Sequence, residues 1–194
     1  MKKYLSVALA ALLATGAATA QSVNLGIKGG LNVFNLESDP DQNYKSRTNF
    51  NGGLLGHIHL SPQFSLQPEV MYSGQGAEFK TGNVDSDLKL GYINVPVQLQ
   101  YMFDNGFRLQ GGPQVGFLVN AKTEIGNTEI DVKNQFKTVD FGITAGLSYV
   151  HPASGFGVDA RYNLGLTDIT ESAANEIKNR GFQVGVFYLF KHKH

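Results

Sequence analysis

Six ionisable side chains stand at polar positions inside otherwise apolar, alternating segments of the chain. They are Lys28, Glu69, Arg108, Asp140, Asp159 and Arg161. Their positive and negative charges balance, and charges that leave water must be paired. If these segments enclose the side chains, the sequence predicts ion pairs in which Glu69, Asp140 and Asp159 hold Arg108 and Arg161. The alternative is that some of the six lie in water at a rim.

Enzymatic chemistry would require a histidine beside a serine and a carboxylate, or a cluster of metal ligands. The chain has five histidines and no cysteine. All five histidines fall near short turns or at the C-terminus, away from the long polar connections: His57, His59, His151, His192 and His194. His57 and His59 share a strand face, but no clear carboxylate partner completes a metal site. We expect no enzyme, no metal and no cofactor.

The segment from Leu88 to Val119 shows which elements carry these side chains. It predicts two strands joined by the turn Asp104-Asn105-Gly106, with apolar residues at nearly every second position. This period-two alternation is typical of a strand with one apolar face. Soluble sheets usually have strands of ~5–6 residues, whereas a tilted strand needs ~9–11 to cross a bilayer. The hairpin is long enough to span a membrane.

The rest of the chain repeats this pattern, which predicts an all-β, eight-stranded, antiparallel up-and-down barrel. The expected strands are Val23–Phe34, Phe50–Leu60, Phe64–Phe79, Leu88–Phe103, Phe107–Val119, Thr138–Val150, Phe156–Leu166 and Arg180–Phe190. Long polar connections alternate with short turns, as in outer-membrane barrels. The expected long connections are Asn35–Asn49, Lys80–Asp87, Asn120–Lys137 and Thr167–Asn179. Weak alternation in the third could extend its flanking strands, and Glu171–Lys178 could form one or two helical turns.

The polar face of the strands is unlike a water-exposed surface. Only 16% of all residues are charged, against ~25% in typical soluble proteins, and the polar face is too poor in charge for a soluble surface, which usually carries ~25–35%. The same face is rich in glycine, which suits the interior of an eight-stranded barrel because its side chains only just fit. These glycines are Gly26, Gly30, Gly53, Gly112, Gly116, Gly142, Gly146 and Gly185. We therefore expect a transmembrane barrel with a polar lumen; the alternative is a soluble lipid-binding barrel with its apolar face inside.

The N-terminus has the features of a secretory signal peptide. Lys2 and Lys3 precede an apolar run, Tyr4–Ala14, and Ala18-Thr19-Ala20 fits the cleavage rule of small residues. Cleavage between Ala20 and Gln21 would remove residues 1–20 and leave residues 21–194 as the barrel domain. No cysteine follows the cleavage site, which excludes a lipid-modified cysteine. The formal net charge is zero, so nothing indicates a nucleic-acid partner.

Several segments together resemble the PorT-like outer-membrane β-barrel family. They are Gly91–Tyr101, Gly111–Pro113, Val139–Gly142 followed by Gly146, and Arg161–Ile169. The resemblance covers the whole mature chain in the same order and implies a fold and an outer-membrane location. Asn94 departs from the family pattern, which often has an acidic residue there. The closing Phe187–Phe190 resembles the aromatic-ended strand by which outer-membrane barrels are recognised for insertion.

These observations predict an integral outer-membrane protein with periplasmic short turns and termini and with extracellular long connections. Its expected role is structural, or binding through the long connections. The alternative is a narrow channel for small solutes, although eight strands leave little space for one. The expected partners are outer-membrane lipid and the barrel assembly machinery during insertion. A ligand at the long connections is left unnamed, because they show no dense aromatic cluster in the sequence.

Overall fold

The computed structural model describes residues 23–39, 44–82, 84–126, 128–172 and 176–190. The predicted signal peptide and the Lys191–His194 tail lie outside these residues. No helix in the described ranges is long and apolar enough to cross a membrane. The described chain forms nine strands and one 3₁₀ turn: β1 Val23–Asp39, β2 Lys45–His59, β3 Phe64–Thr81, β4 Val84–Met102, β5 Phe107–Ile125, β6 Thr128–Asp131, the 3₁₀ turn Lys133–Gln135, β7 Val139–Val150, β8 Phe156–Gly165 and β9 Glu176–Leu189.

Eight of the strands close into an antiparallel barrel. Each of β1 to β5 pairs with its neighbour in sequence, β5 pairs with β7, and β9 returns to pair with β1. The ninth strand, β6, folds back on the end of β5 as a short hairpin. The predicted eight-stranded up-and-down barrel is thus confirmed. We call the end that carries residues 60–63, 103–106 and 151–155 the turn end, and the opposite end the loop end.

At the loop end, β1 to β5 and β9 are longer than the sequence predicted, whereas β7 and β8 are each one residue shorter. The predicted loop Asn35–Asn49 is wrong, because β1 continues to Asp39 and β2 begins at Lys45. Lys80–Asp87 is wrong in the same way, since β3 continues to Thr81 and β4 begins at Val84, and these two residues are paired. The alternation within Asn120–Lys137 does extend β5 and add β6. Period-two alternation reports a contrast between two faces, and at the loop end that contrast is reversed: Leu36 on β1 is buried inside, while Glu37 and Asp39 are exposed.

The final connection is also shorter than expected. The segment Thr167–Asn179 was predicted to be a loop, but β9 already begins at Glu176. The suggested helical turn over Glu171–Lys178 is therefore wrong at residues 176–178. Residues 173–175 lie outside the described ranges.

The outer surface of the barrel is apolar over a band of each strand. Leu54 is 64% exposed and Val186 is 62% exposed, while the polar Asn32 and Gln98 are fully buried. Aromatic pairs bound the band on the turn-end side, such as Phe156 with Tyr188 at 4.7 Å between ring centroids. The reading as a soluble barrel with an apolar interior is wrong, because the polar face is inside.

Candidate functional site

An ion cluster of four side chains occupies the middle of the lumen. It consists of Lys28 from β1, Glu69 from β3, and Asp159 and Arg161 from β8. The Arg161 guanidinium donates two hydrogen bonds to the Glu69 carboxylate, at 3.0 and 2.8 Å, and its Nε donates to Asp159 Oδ2 at 2.9 Å. Lys28 Nζ lies 2.5 Å from Asp159 Oδ2 and 3.8 Å from Glu69 Oε1. The cluster is neutral, and each of its side chains is at most 1% exposed.

A neighbouring glycine makes room for the ion cluster, and two side-chain amides complete its hydrogen bonds. A Cβ atom at Gly146 would lie 2.8 Å from Arg161 Cβ, so the strand can pass the arginine only with glycine there. Gln67 Nε2 donates to Glu69 Oε1 at 2.9 Å, and Gln110 Nε2 lies 3.4 Å from Asp159 Oδ2. Such additional hydrogen bonds offset the cost of removing carboxylates from water.

The other two predicted members, Arg108 and Asp140, lie outside the ion cluster. Arg108 Nη1 lies 3.4 Å from His57 Nδ1 and donates to Gln100 Oε1 at 3.3 Å. Asp140 accepts hydrogen bonds from Thr167 Oγ1 at 2.8 Å and Asn179 Nδ2 at 2.9 Å. Within the described ranges neither side chain forms an ion pair. The expectations that Asp140 holds an arginine and that a carboxylate holds Arg108 are therefore wrong: Asp140 lies on β7 near the loop end, while Arg108 lies near the start of β5 at the turn end.

Apolar side chains are buried in the lumen on both sides of the ion cluster, beside polar ones. At the turn end, the turn-end apolar cluster comprises Leu55, Val150, Phe187 and Leu189. At the loop end a larger set is buried, the loop-end apolar cluster: Leu36, Ala77, Leu88, Leu90, Tyr92, Leu118, Ala121, Ile169 and Ile177. Sequence reasoning treated the whole inner face as polar and missed both clusters. The signal was present in inward positions such as Leu88, Leu90 and Leu118, which break the polar pattern.

Ile169 enters the loop-end apolar cluster from a connection and is fully buried. The preceding Asp168 holds the connection in place. Its Oδ1 accepts the backbone N–H groups of Thr170 at 3.1 Å and Ile177 at 2.9 Å, and its Oδ2 accepts from Lys137 Nζ at 2.6 Å. The Lys137 N–H also donates to the Ile169 carbonyl at 2.7 Å. The two connections before β7 and β9 thus close over the barrel together.

The segment Arg161–Ile169 therefore contributes at three levels of the lumen. Arg161 belongs to the ion cluster, Thr167 bonds to Asp140, and Asp168 with Ile169 closes the loop end. Sequence reasoning identified the segment through a resemblance but assigned a role only to Arg161. The available signal for Ile169 in the sequence was that it is an apolar residue within a polar connection.

The histidines give no catalytic arrangement among the described residues. His57 is buried against Arg108, and its ring lies 4.6 Å from that of His59 near the turn end. His151 lies in a turn and approaches Ser154 Oγ at 3.2 Å. Across the described ranges, no group of three or more potential metal-ligating residues could hold a metal ion. His192 and His194 lie outside those ranges, and the absence of enzymatic activity stays a prediction.

Solved structures with the same fold are outer-membrane proteins. The chain is similar to Ail, the attachment invasion locus protein of Yersinia pestis, with 17% identity over 86% of this chain and 98% of Ail and a TM-score of 0.54. It is similar to Neisserial surface protein A, with 14% identity over 87% and 99% of the two chains and a TM-score of 0.57. Ail in complex with the heparin analogue sucrose octasulfate gives 17% identity, 87% and 99% coverage, and a TM-score of 0.55. No curated protein sequence matches the chain.

At these identities the similar structures establish the fold alone. The family follows from the sequence match, because a model of the outer membrane protein beta-barrel domain family matches residues 19–171. This range holds most of the barrel and includes the ion cluster, Asp168 and Ile169. The chain belongs to the outer membrane protein beta-barrel domain family and is an integral protein of the outer membrane.

Proposed function

We propose that this protein is a sealed barrel that acts through its loop end, as a binding surface, and does not pass solutes. The observation that carries the proposal is the complete burial of Ile169 in the loop-end apolar cluster. An apolar plug across the lumen gives ions no polar path to the ion cluster below it. At the turn end, four apolar side chains narrow the lumen beside buried polar ones such as His57 and Gln100.

The ion cluster also favours a closed barrel. Arg161 contacts both Glu69 and Asp159, and Lys28 adds a second cation to the same two carboxylates. Opening a path would separate buried charges from their partners, which typically costs about 3–5 kcal/mol when one partner is removed. The arrangement supports a structural role for these charges.

The test is the permeability of the purified full-length protein. In planar bilayers we expect no conductance above the bare membrane, and loaded proteoliposomes should not swell in small sugars or amino acids. A general porin in the same lipid provides the positive control. Stepwise conductance that increases with the amount of inserted wild-type protein would overturn the proposal.

We further propose the orientation expected from the sequence, with the loop end outside the cell and the turn end and termini in the periplasm. The chain has no cysteine, so single cysteines can report the topology of whole cells. With a membrane-impermeant maleimide, Thr128→Cys on β6 should label in intact cells. Asn105→Cys at the turn end should label only after lysis, and the reverse pattern would refute the orientation.

The expected partners in this proposal are outer-membrane lipid around the apolar band and the barrel assembly machinery during insertion. Membership of the PorT-like group is part of the same proposal, supported by the quoted sequence segments. The heparin analogue in the Ail structure is not a reason to propose a polyanionic ligand for this chain. The loop end of this chain pairs many of its cations with acidic residues, as in Lys122 with Glu129 and Arg180 with Glu37.

A further inference from the structure

A cavity of about 250 Å³ opens at the loop end, directly over the loop-end apolar cluster. Leu88 and Ile177, which belong to that cluster, also line the cavity. Three aromatic side chains from separate parts of the chain complete its apolar lining: Tyr44, Phe79 and Phe136. The rings of Tyr44 and Phe79 meet edge to face, with their centroids 6.1 Å apart. This aromatic cluster is not apparent in the sequence because its members are far apart in the chain.

The remaining lining is polar but uncharged. Thr123 on β5, Gln135, Thr170 and Ser172 supply hydroxyl and amide groups. Thr170 and Ser172 are held in position by the closed connection, since the Ser172 N–H donates to Thr170 Oγ1 at 3.1 Å. The Thr170 hydroxyl is used within the connection, since it also donates to the Gln135 carbonyl oxygen at 3.5 Å. Hydroxyl and amide side chains such as those of Thr123 and Gln135 can both donate and accept hydrogen bonds. A ligand that fits here therefore offers an apolar face to the aromatic rings and hydroxyl groups to the polar side chains.

The described lining of this cavity carries no charged side chain. A neighbouring cavity of about 400 Å³ at the same end is lined by Lys45, Glu78, Lys80, Asp85 and Asp87. Close to the neutral cavity, Lys137 is paired with Asp168. A charged ligand would gain nothing from the neutral lining and would lose water, so the ligand should be neutral.

The size of the cavity limits the ligand further. Sites for drug-sized ligands usually measure ~300–1,000 Å³, and this one lies just below that range. It accommodates a single ring, not an extended chain. A pyranose has the required form, because its C–H groups present an apolar face to an aromatic ring while its hydroxyl groups point outward to polar partners.

We propose that this cavity binds one neutral pyranose unit, as a terminal sugar of a glycan outside the cell. The proposal rests on the proposed function, because it requires the loop end to face the medium. It names the ligand class of the binding surface, which the fold and the family leave open.

The experiment is saturation-transfer NMR on the full-length protein in detergent micelles. The probes are the methyl glycosides of glucose, galactose, mannose and N-acetylglucosamine, with glucuronic acid as a charged probe and benzyl alcohol as an aromatic one. We expect transfer to at least one neutral glycoside and none to glucuronic acid. Transfer to benzyl alcohol without any neutral glycoside, or to no probe at all, would overturn the proposal.

Two variants locate the binding. Thr123→Val removes one hydroxyl from the lining and should weaken binding about two- to tenfold, the loss of one neutral hydrogen bond. Thr128→Val, on β6 of the same hairpin but outside the lining, should leave it unchanged. Ser172→Trp should abolish binding by filling the cavity, with folding verified by gel mobility before and after heating. Equal binding by Ser172→Trp and wild type would overturn the site.

The sealed barrel and the sugar site can be refuted independently of each other. A chain that conducts no ions and binds no neutral glycoside refutes the sugar site and leaves the sealed barrel intact. A chain that conducts ions refutes the sealed barrel whatever the NMR result.

Discussion

Arg161 and Glu69 form a two-point ion pair across the lumen, although they are far apart in the chain. Both distances, 3.0 and 2.8 Å, are those of charge-assisted hydrogen bonds, and neither side chain is more than 1% exposed. The fork of the guanidinium matches the carboxylate, which lysine could not reproduce. β3 and β8 are thus joined through the interior as well as around the wall.

The first prediction concerns the loss of that arginine. Arg161→Met leaves Glu69 and Asp159 with Lys28 as their only cation within the ion cluster. We expect a loss of about 3–5 kcal/mol in the free energy of unfolding, as for a buried pair that loses one partner. Urea unfolding in lipid vesicles measures it. Arg180→Met is the matched control, because the partly exposed Arg180–Glu37 pair contributes only ~0–1 kcal/mol.

Arg108→Met should behave differently from Arg161→Met. No carboxylate of the described residues pairs with Arg108, so its removal leaves no buried charge unpaired. We expect a change in the free energy of unfolding of about 1 kcal/mol or less, in the range of an ordinary hydrogen bond. The same urea titration compares the two variants. A loss as large as that of Arg161→Met would show that Arg108 holds an acidic partner after all.

The third prediction uses a matched pair of glycines. A Cβ at Gly146 would lie 2.3 Å from the Ala160 carbonyl oxygen, whereas at Gly29 the nearest atom, the Asn51 carbonyl oxygen, lies 3.7 Å away. Gly146→Ala should therefore prevent formation of the closed barrel, and Gly29→Ala should be tolerated. Gel mobility with and without boiling reports barrel closure. Equal folding of both variants would mean that the wall can shift around Arg161.

The connection closed by Asp168 should open in acid. Burial opposes ionisation of this carboxyl, but the N–H groups of Ile177 and Thr170 and the Lys137 ammonium outweigh it and lower the pKa of Asp168 below its usual 3.8. A lowered pKa in the folded state means that the stabilisation is fully present above the ordinary value and is lost as the pH falls through the lowered one. Hydrogen exchange of the Ile177 amide, corrected for its intrinsic rate, should show constant protection down to about pH 4 and a loss below it.

Asp168→Ala provides the control for that experiment. It should remove the protection of the Ile177 amide at neutral pH as well, because the acceptor is absent at every pH. The amide of Val158, which lies on β8 near the opposite end of the barrel, should be protected equally in both proteins. Unchanged protection of Ile177 in the variant would show that the Asp168 carboxylate does not hold the connection.

The membrane-spanning wall was readable from the sequence because each strand there separates lipid from lumen. That contrast produces a period-two pattern in segments such as Phe156–Leu166. The pattern indicates the number of barrel strands, their order along the chain and the face on which their side chains lie. Beyond the band, from Asn35 to Asp39 for example, the backbone ladder continues but the contrast is reversed, with Leu36 buried inside and Glu37 exposed. The outer face is no longer apolar there, so the sequence placed the loop-end limits of β1 to β5 and β9 too close to the band.

The sequence by itself determined that Lys28, Glu69, Arg108, Asp140, Asp159 and Arg161 face the lumen, since facing depends only on local alternation. Which of them meet was decided by the tertiary structure. The stagger between strands sets the height of each side chain along the barrel, so Arg161 reaches Glu69 while Asp140 lies higher, beside Asn179. Closure by Ile169 and the cavity lined by Tyr44, Phe79 and Phe136 likewise depend on contacts between distant segments. Such contacts leave no periodic pattern in the sequence.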